Sequence, residues 1–221
     1  MAEIGPKDAF AFLCQTFTKW GLPKRIKVDN GLPFVNPHQR DIPTLLVLWL
    51  IALGMEVKQN DPGRPQQNGT VEGLQGVCNR WASSKEHETI ESFQQALDEA
   101  VRVQVEVYRM PAKKHLTRLQ VYPELKTNPR KFDPTDIQWQ RVKVYLAAQV
   151  WTRSVCVHAI SFFNQKIYLG KQYAKQEVTL TYDPLDELII VRTKDGTLIR
   201  TVDKQIVTIE QILQFAGMSK N

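Results

Sequence analysis

Apolar residues recur at two different periods in this chain, and that change confines the fold more than any other feature of its 221 residues. Phe10, Leu13, Phe17 and Trp20 are spaced 3, 4 and 3, and so are Val71, Leu74, Cys78 and Trp81. Such spacing puts each set on one face of a helix. Val178, Leu180 and Tyr182 alternate instead, the period of a half-buried strand. Pro6 fits the first position of a helix over 6–20, and Gly21 and Pro23 stop it. Ile26 to Val28 reads as a short strand that ends in Asp29-Asn30-Gly31. The run Leu45 to Leu53 is nine residues long, too short for a bilayer, so it reads as a buried helix over about 43–53. Met55 to Lys58 reads as another strand, and helices follow from about Asn68 and over about 88–108. Residues 1–110 thus alternate helix and strand, an α/β layer. A further helix is expected over 133–146. Asn164-Gln165, Asp183-Pro184 and Asp195-Gly196 mark turns between short strands in 149–202, which together read as a small barrel. A last helix, 209–215, follows.

The composition is that of a soluble globular chain, 43% hydrophobic and 24% charged. Its start has neither the basic region nor the apolar stretch of a signal peptide. Cys14, Cys78 and Cys156 stand far apart, and no histidine lies near them at zinc spacing. Reduced thiols in a cytoplasm, and no zinc finger, are expected. The net charge of +6 is unevenly distributed: residues 1–110 carry 12 Lys and Arg against 13 Asp and Glu, and residues 111–221 carry 17 against 10. A basic second half suits a polyanion such as nucleic acid, or simply a solvated surface. Its densest stretch, 109–131, holds Lys113, Lys114, Arg118, Arg130 and Lys131.

Two carboxylates stand where metal chemistry would need them. Asp29 ends the first strand, and Glu72 opens a helix after the loop Pro62 to Gly69. A strand-end carboxylate and another on a nearby helix can share a divalent metal, as in phosphodiester chemistry on DNA. Glu72 lies in a first helical turn, where the helix dipole favours negative charge. Gly76, Asn79 and Arg80 share its face. Gly69, Gly73 and Gly76 leave that helix almost bare, open to a DNA backbone whose phosphate could meet Arg80. The same residues also describe a helix-start carboxylate with glycines for tight helix packing. Trp139 and Trp151, beside Arg141 and Arg153, likewise fit either a core or a stacking surface for bases. The four histidines are isolated and read as surface or core residues.

Taken together, Asp29-Asn30-Gly31 after a strand and a Pro-Gly-Arg-Pro-Gln-Gln-Asn-Gly-Thr-Val-Glu run into a helix resemble the catalytic core of DDE transposases and retroviral integrases. The family pattern is Asp-Asn-Gly, then Pro-x-x-Pro-Gln-x-Asn-Gly-x-Val-Glu. Its matches here are Asp29, Asn30, Gly31, Pro62, Pro65, Gln66, Asn68, Gly69, Val71 and Glu72. Met110-Pro111 through Tyr122-Pro123-Glu124 resembles the segment that closes the core in bacterial transposases. Phe162 to Asn164, continuing to Asp183-Pro184, resembles the small β-domain of the phage Mu transposase type.

The resemblance implies an α/β ribonuclease-H-like core followed by a small all-β barrel. It implies DNA as partner and two Mg²⁺ or Mn²⁺ ions held by three carboxylates, with Asp29 and Glu72 as two of them. Asn30, Gly31, Gln66, Gln67, Asn68 and Gly69 would line the active-site loops. Arg64, Asn79 and Arg80 would contact phosphates, and Lys113, Lys114, Arg118, Arg130 and Lys131 would grip DNA by charge. On this reading residues 1–125 are a partial catalytic core, 126–148 a basic linker and helix, 149–205 the barrel, and 206–221 a terminal helix and tail.

Two departures matter. The Asp29 to Glu72 spacing exceeds that of the retroviral branch, with the extra residues in Pro37 to Thr44. The family's first catalytic Asp lies on a first strand upstream of the helix at 6–20. Here only Asp8 precedes Asp29 among aspartates, and it sits in a helical first turn. The expectation is a truncated copy, cytoplasmic and bacterial in type, without a membrane partner. It would be inactive alone unless a homo-oligomer or a second polypeptide supplies the missing strands, and would otherwise remain as a non-catalytic DNA-binding remnant. Helices at 6–20 and 69–84 should lack partner surface, giving a weak core beside a better-folded barrel.

Overall fold

The computed structural model describes residues 5–36, 38–39, 41–61, 63–83, 86–203 and 206–217. Contacts gather the chain into two units, neither continuous in sequence: 1–14, 24–58 and 133–221 form one, and 15–23 and 59–132 the other. The fold is a mixed α/β region together with antiparallel β-sheets. No helix among the described residues is long and apolar enough to cross a membrane.

The first unit is organised around α2 (Leu45–Ala52), whose residues Leu46 to Ala52 are all buried. Thr44 starts it, the hydroxyl accepting the Val47 N–H at 3.3 Å. A helix apolar on every side needs neighbours on every side. Helix α1 (Pro6–Trp20) brings Phe10 to 4.7 Å from the Trp49 ring. Helix α7 (Trp139–Ala147) contributes Val142 and Leu146. Helix α8 (Ile209–Phe215) contributes Ile212, with Phe215 at 5.6 Å from Phe10. The helix expected from 133 thus begins at Trp139, because Gln138 is extended and donates its N–H to the Ala52 carbonyl at 3.1 Å. Strands β1 (Arg25–Val28) and β2 (Glu56–Gln59) form a two-stranded sheet, with Arg25 and Glu56 ion-paired at 2.7 Å.

The β region of this unit is a four-stranded antiparallel sheet in the order β3 (Val150–Ser154), β6 (Glu177–Asp183), β7 (Leu188–Thr193), β8 (Leu198–Val202). Val178, Leu180 and Tyr182 point inward opposite Thr193, Val191 and Ile189. Strands β4 (Ala159–Phe162) and β5 (Gln165–Tyr168) form a separate hairpin. Its turn takes Phe163 and Asn164 through positive φ, at 46° and 59°, the geometry of a two-residue hairpin loop. Phe162 closes on Trp151 at 5.0 Å. The expected barrel is therefore an open arrangement among the described residues. Its hydrogen-bonded ladders do not join into a ring, because β8 meets the hairpin through a side chain, Arg200 donating to the Tyr168 carbonyl at 2.7 Å.

The second unit is helical. It holds the end of α1, a 3₁₀ turn at Pro65–Asn68, α3 (Gly69–Trp81), α4 (Ile90–Arg102) and the short helices α5 (Arg118–Val121) and α6 (Glu124–Thr127). Helix α4 continues as a π-helical turn, Val103–Val107. Its apolar interior is thin. Among the described residues, Phe17, Leu22, Ala82 and Ala100 are its buried hydrophobics. Val71, Leu74 and Trp81, expected to face a core, are 58%, 45% and 44% exposed. The anticipated shortage of partner surface thus falls on this unit, while α2 and the α1 face around Phe10 are well covered.

Candidate functional site

Asp29 leaves β1 immediately after the buried Val28 and is exposed. Its Oδ1 accepts the Gly31 N–H at 3.2 Å, a local turn that short acidic side chains favour. Asn30 and Gly31 are exposed beside it. Glu72 lies in the first turn of α3, also exposed, and makes no ion pair among the described residues. Asp29 belongs to the first unit and Glu72 to the second. Asp8 caps the start of α1, its Oδ2 accepting the Gly5 N–H at 2.9 Å, which suits a structural role.

The loop before α3 is held by its own polar side chains. Gln67 bonds Asp61 twice, its Oε1 accepting the backbone N–H at 3.0 Å and its Nε2 donating to Oδ2 at 2.8 Å. Asn68 accepts from the Asn60 amide. Arg64 pairs with Asp61 at 3.5 Å, both exposed. The carbonyl of Gln66 accepts the Gly69 N–H, and its exposed side chain makes no hydrogen bond among the described residues. Pro62, which the sequence motif includes, lies outside the described residues. Gly69, Gly73 and Gly76 have no atom within 4 Å of where a Cβ would stand. Tight helix packing is therefore not what those glycines serve among the described residues. Asn79 and Arg80 are exposed further along α3.

The basic stretch divides by burial. Lys113, Lys114 and Lys131 are exposed. Lys114 adopts a left-handed conformation, φ 54°, closing the turn after Pro111–Lys113. Arg118 turns inward, with Nη1 donating to the carbonyl and Oε1 of Gln104 at 2.6 and 2.8 Å. Arg130 is half-buried and donates to the Pro23 carbonyl at 2.6 Å. Its own carbonyl accepts from Leu22. Arg118 and Arg130, expected on DNA, thus each commit a guanidinium nitrogen to holding the second unit together. Trp151 is buried and donates Nε1 to the Asp41 carbonyl at 3.0 Å. Arg153 grips the Asp41 carboxylate at 2.6 and 3.0 Å. Trp151 thus belongs to the core of the first unit, with the Arg153–Asp41 pair at its surface, and the stacking alternative is closed for Trp151.

Sequence reasoning missed a cavity in the second unit. It has about 470 Å³ and is bordered by α3, the π-helical turn and the start of α5, with Arg80, Trp81, Gln104, Tyr108 and Arg118 in its wall. The signal was present in the exposed Tyr108 and in an apolar stripe on α3 richer than that unit can cover.

Metal chemistry needs several hard oxygen ligands converging on one point. Among the described residues no three His, Cys, Asp or Glu side chains are so placed. No protein-family model matches the chain.

Proposed function

We propose that this chain is of the DDE transposase and integrase type and that it binds DNA. On this reading its 221 residues supply two of the three carboxylates that such strand transfer uses. The observation that carries this is the setting of the motif. Asp29 directly follows a strand, and Glu72 stands in the first turn of a helix whose glycines at 69, 73 and 76 face open space. These are the settings the resemblance requires. The exposed Lys113, Lys114 and Lys131 support the DNA half of the reading through charge neutralisation. On the same reading the α/β portion derives from a ribonuclease-H-like core, and the sheet and hairpin from the small β-domain of phage Mu transposase type. Intact members use Mg²⁺ or Mn²⁺. Here Asp29 and Glu72 would be two ligands, and a third would come from outside these 221 residues.

A second reading, a DNA-binding protein without catalysis, is favoured by the lack of three convergent ligands among the described residues. A plasmid-nicking assay in Mg²⁺ and in Mn²⁺, with Glu72→Gln as control, separates the two. The chain alone is expected to retain DNA and to nick no faster than the control. Metal-dependent nicking lost in Glu72→Gln would show that the chain completes a site. Absence of DNA retention would overturn both readings.

A further inference from the structure

The cavity in the second unit combines features that together select a ligand. Its wall carries two guanidinium groups, Arg80 and Arg118, and no carboxylate. The neighbouring acids are engaged elsewhere: Glu99 bonds Arg102 at 2.7 Å, and Glu106 lies 3.8 Å from both Arg102 and Lys126. The local field therefore favours an anion. Arg80 has no carboxylate or hydrogen-bond partner among the described residues and is exposed. Trp81 is 44% exposed and shares its ring with no other aromatic there. The Tyr108 ring has Arg118 5.8 Å from its centroid.

Gln104 makes the cavity more than a basic hollow. The π-helical turn carries this side chain inward, and the residue is 6% exposed. Guanidinium only donates, so the bond from Arg118 fixes the amide oxygen toward Arg118. The amide nitrogen is left with two donors and no partner among the described residues. That nitrogen is not sealed from solvent, so both donors remain available to a ligand. A base edge supplies the acceptors it lacks. Gly73 adds a stretch of wall without a side chain. The volume, about 470 Å³, lies within the roughly 300–1,000 Å³ of small-ligand pockets.

We infer that this cavity holds one unstacked nucleotide of single-stranded DNA. The base stacks on Trp81, its edge accepts from the Gln104 amide, and the adjoining phosphate meets Arg80. The inference rests on the nucleic-acid reading above and adds a preference for unpaired strands that exposed lysines alone would not give.

The test is fluorescence anisotropy of the full chain with a labelled oligothymidylate and with a labelled duplex. Wild type and Trp81→Leu are compared, with Trp81→Phe as the conservative rescue. Stacking on one base is worth enough that Trp81→Leu should weaken single-strand binding roughly ten-fold. Duplex binding should be unchanged, and Trp81→Phe should restore most of the loss. Indole emission of wild type should be quenched by the unlabelled oligonucleotide, and not in Trp81→Phe, which keeps the test valid should Trp81→Leu misfold. Equal losses for single strand and duplex, or no loss and no quenching, would overturn the pocket while leaving DNA binding intact. Saturation by thymidine monophosphate at the same concentrations would assign the pocket to a free nucleotide and overturn the strand reading. Failure of wild type to bind either DNA would sink the functional proposal itself.

Discussion

Gly54 shows how one residue position carries a local constraint. It ends α2 at φ +79°, and the Arg141 guanidinium lies over it where a Cβ would stand. Arg141 can swing aside, so the cost of a side chain here is mostly backbone. Gly54→Ala should lower stability by about 1–2 kcal/mol, read as a lower urea midpoint. Arg153 is a second such position. Its bidentate grip on Asp41 ties β3 to the segment before α2, and, with Asp41 half-exposed, Arg153→Met should cost up to about 1 kcal/mol. Tyr182 makes the fold sensitive to alkali. Burial, with Glu187 and Asp183 nearby, pushes its hydroxyl up to about 12 from an ordinary value near 10. The folded state then holds its proton more tightly than the unfolded one. Stability should be intact below about pH 10 and fall between about pH 10 and about pH 12, and Tyr182→Phe should flatten that fall in denaturant titrations at each pH. At the proposed metal-ligand positions the sequence motif alone located Asp29 at a strand end and Glu72 at a helix start. It could not show that Arg118 and Arg130 turn inward, because charge on a side chain does not say which carbonyl it will reach.

At the scale of elements, α2 and α3 make opposite cases. Both read from sequence as helices, α2 as an apolar run and α3 with an apolar stripe, and both are helices. Only α2 has neighbours on every side. Leu48 in α2 is fully buried, so Leu48→Ala should cost about 2–5 kcal/mol. Leu74 on α3 is half-exposed, so Leu74→Ala should stay within about 0.5 kcal/mol. Periodicity identifies the face that is apolar but not what covers it, which is why Trp81 read as core and lies half-exposed. The π-helical turn was equally hidden. Residues 88–108 have an unbroken helical period, and the widening at 103–107 that carries Gln104 inward has no local sequence signal. The strands were legible because β-turn residues and alternation agree: Asp195-Gly196 lies between β7 and β8, and Val178, Leu180 and Tyr182 line the buried face. Whether those strands close depends on pairings between distant residues, which no local pattern encodes.

At the scale of the whole molecule, the chain divides into a unit with a deep apolar interior and one with a thin one. Amide exchange should therefore protect α2, β6 and β7 far longer than α3 and α5, since opening free energy follows buried apolar contact. The proposed function is DNA binding through charge placed on exposed lysines. It is tested most directly by anisotropy of a labelled duplex between about 50 and about 200 mM salt, with wild type and a Lys113→Gln, Lys114→Gln, Lys131→Gln variant. Log affinity should fall linearly with log salt, with a slope about three units shallower in the variant. Binding that ignores salt, a slope unchanged in the variant, or no binding at about 50 mM salt would contradict it.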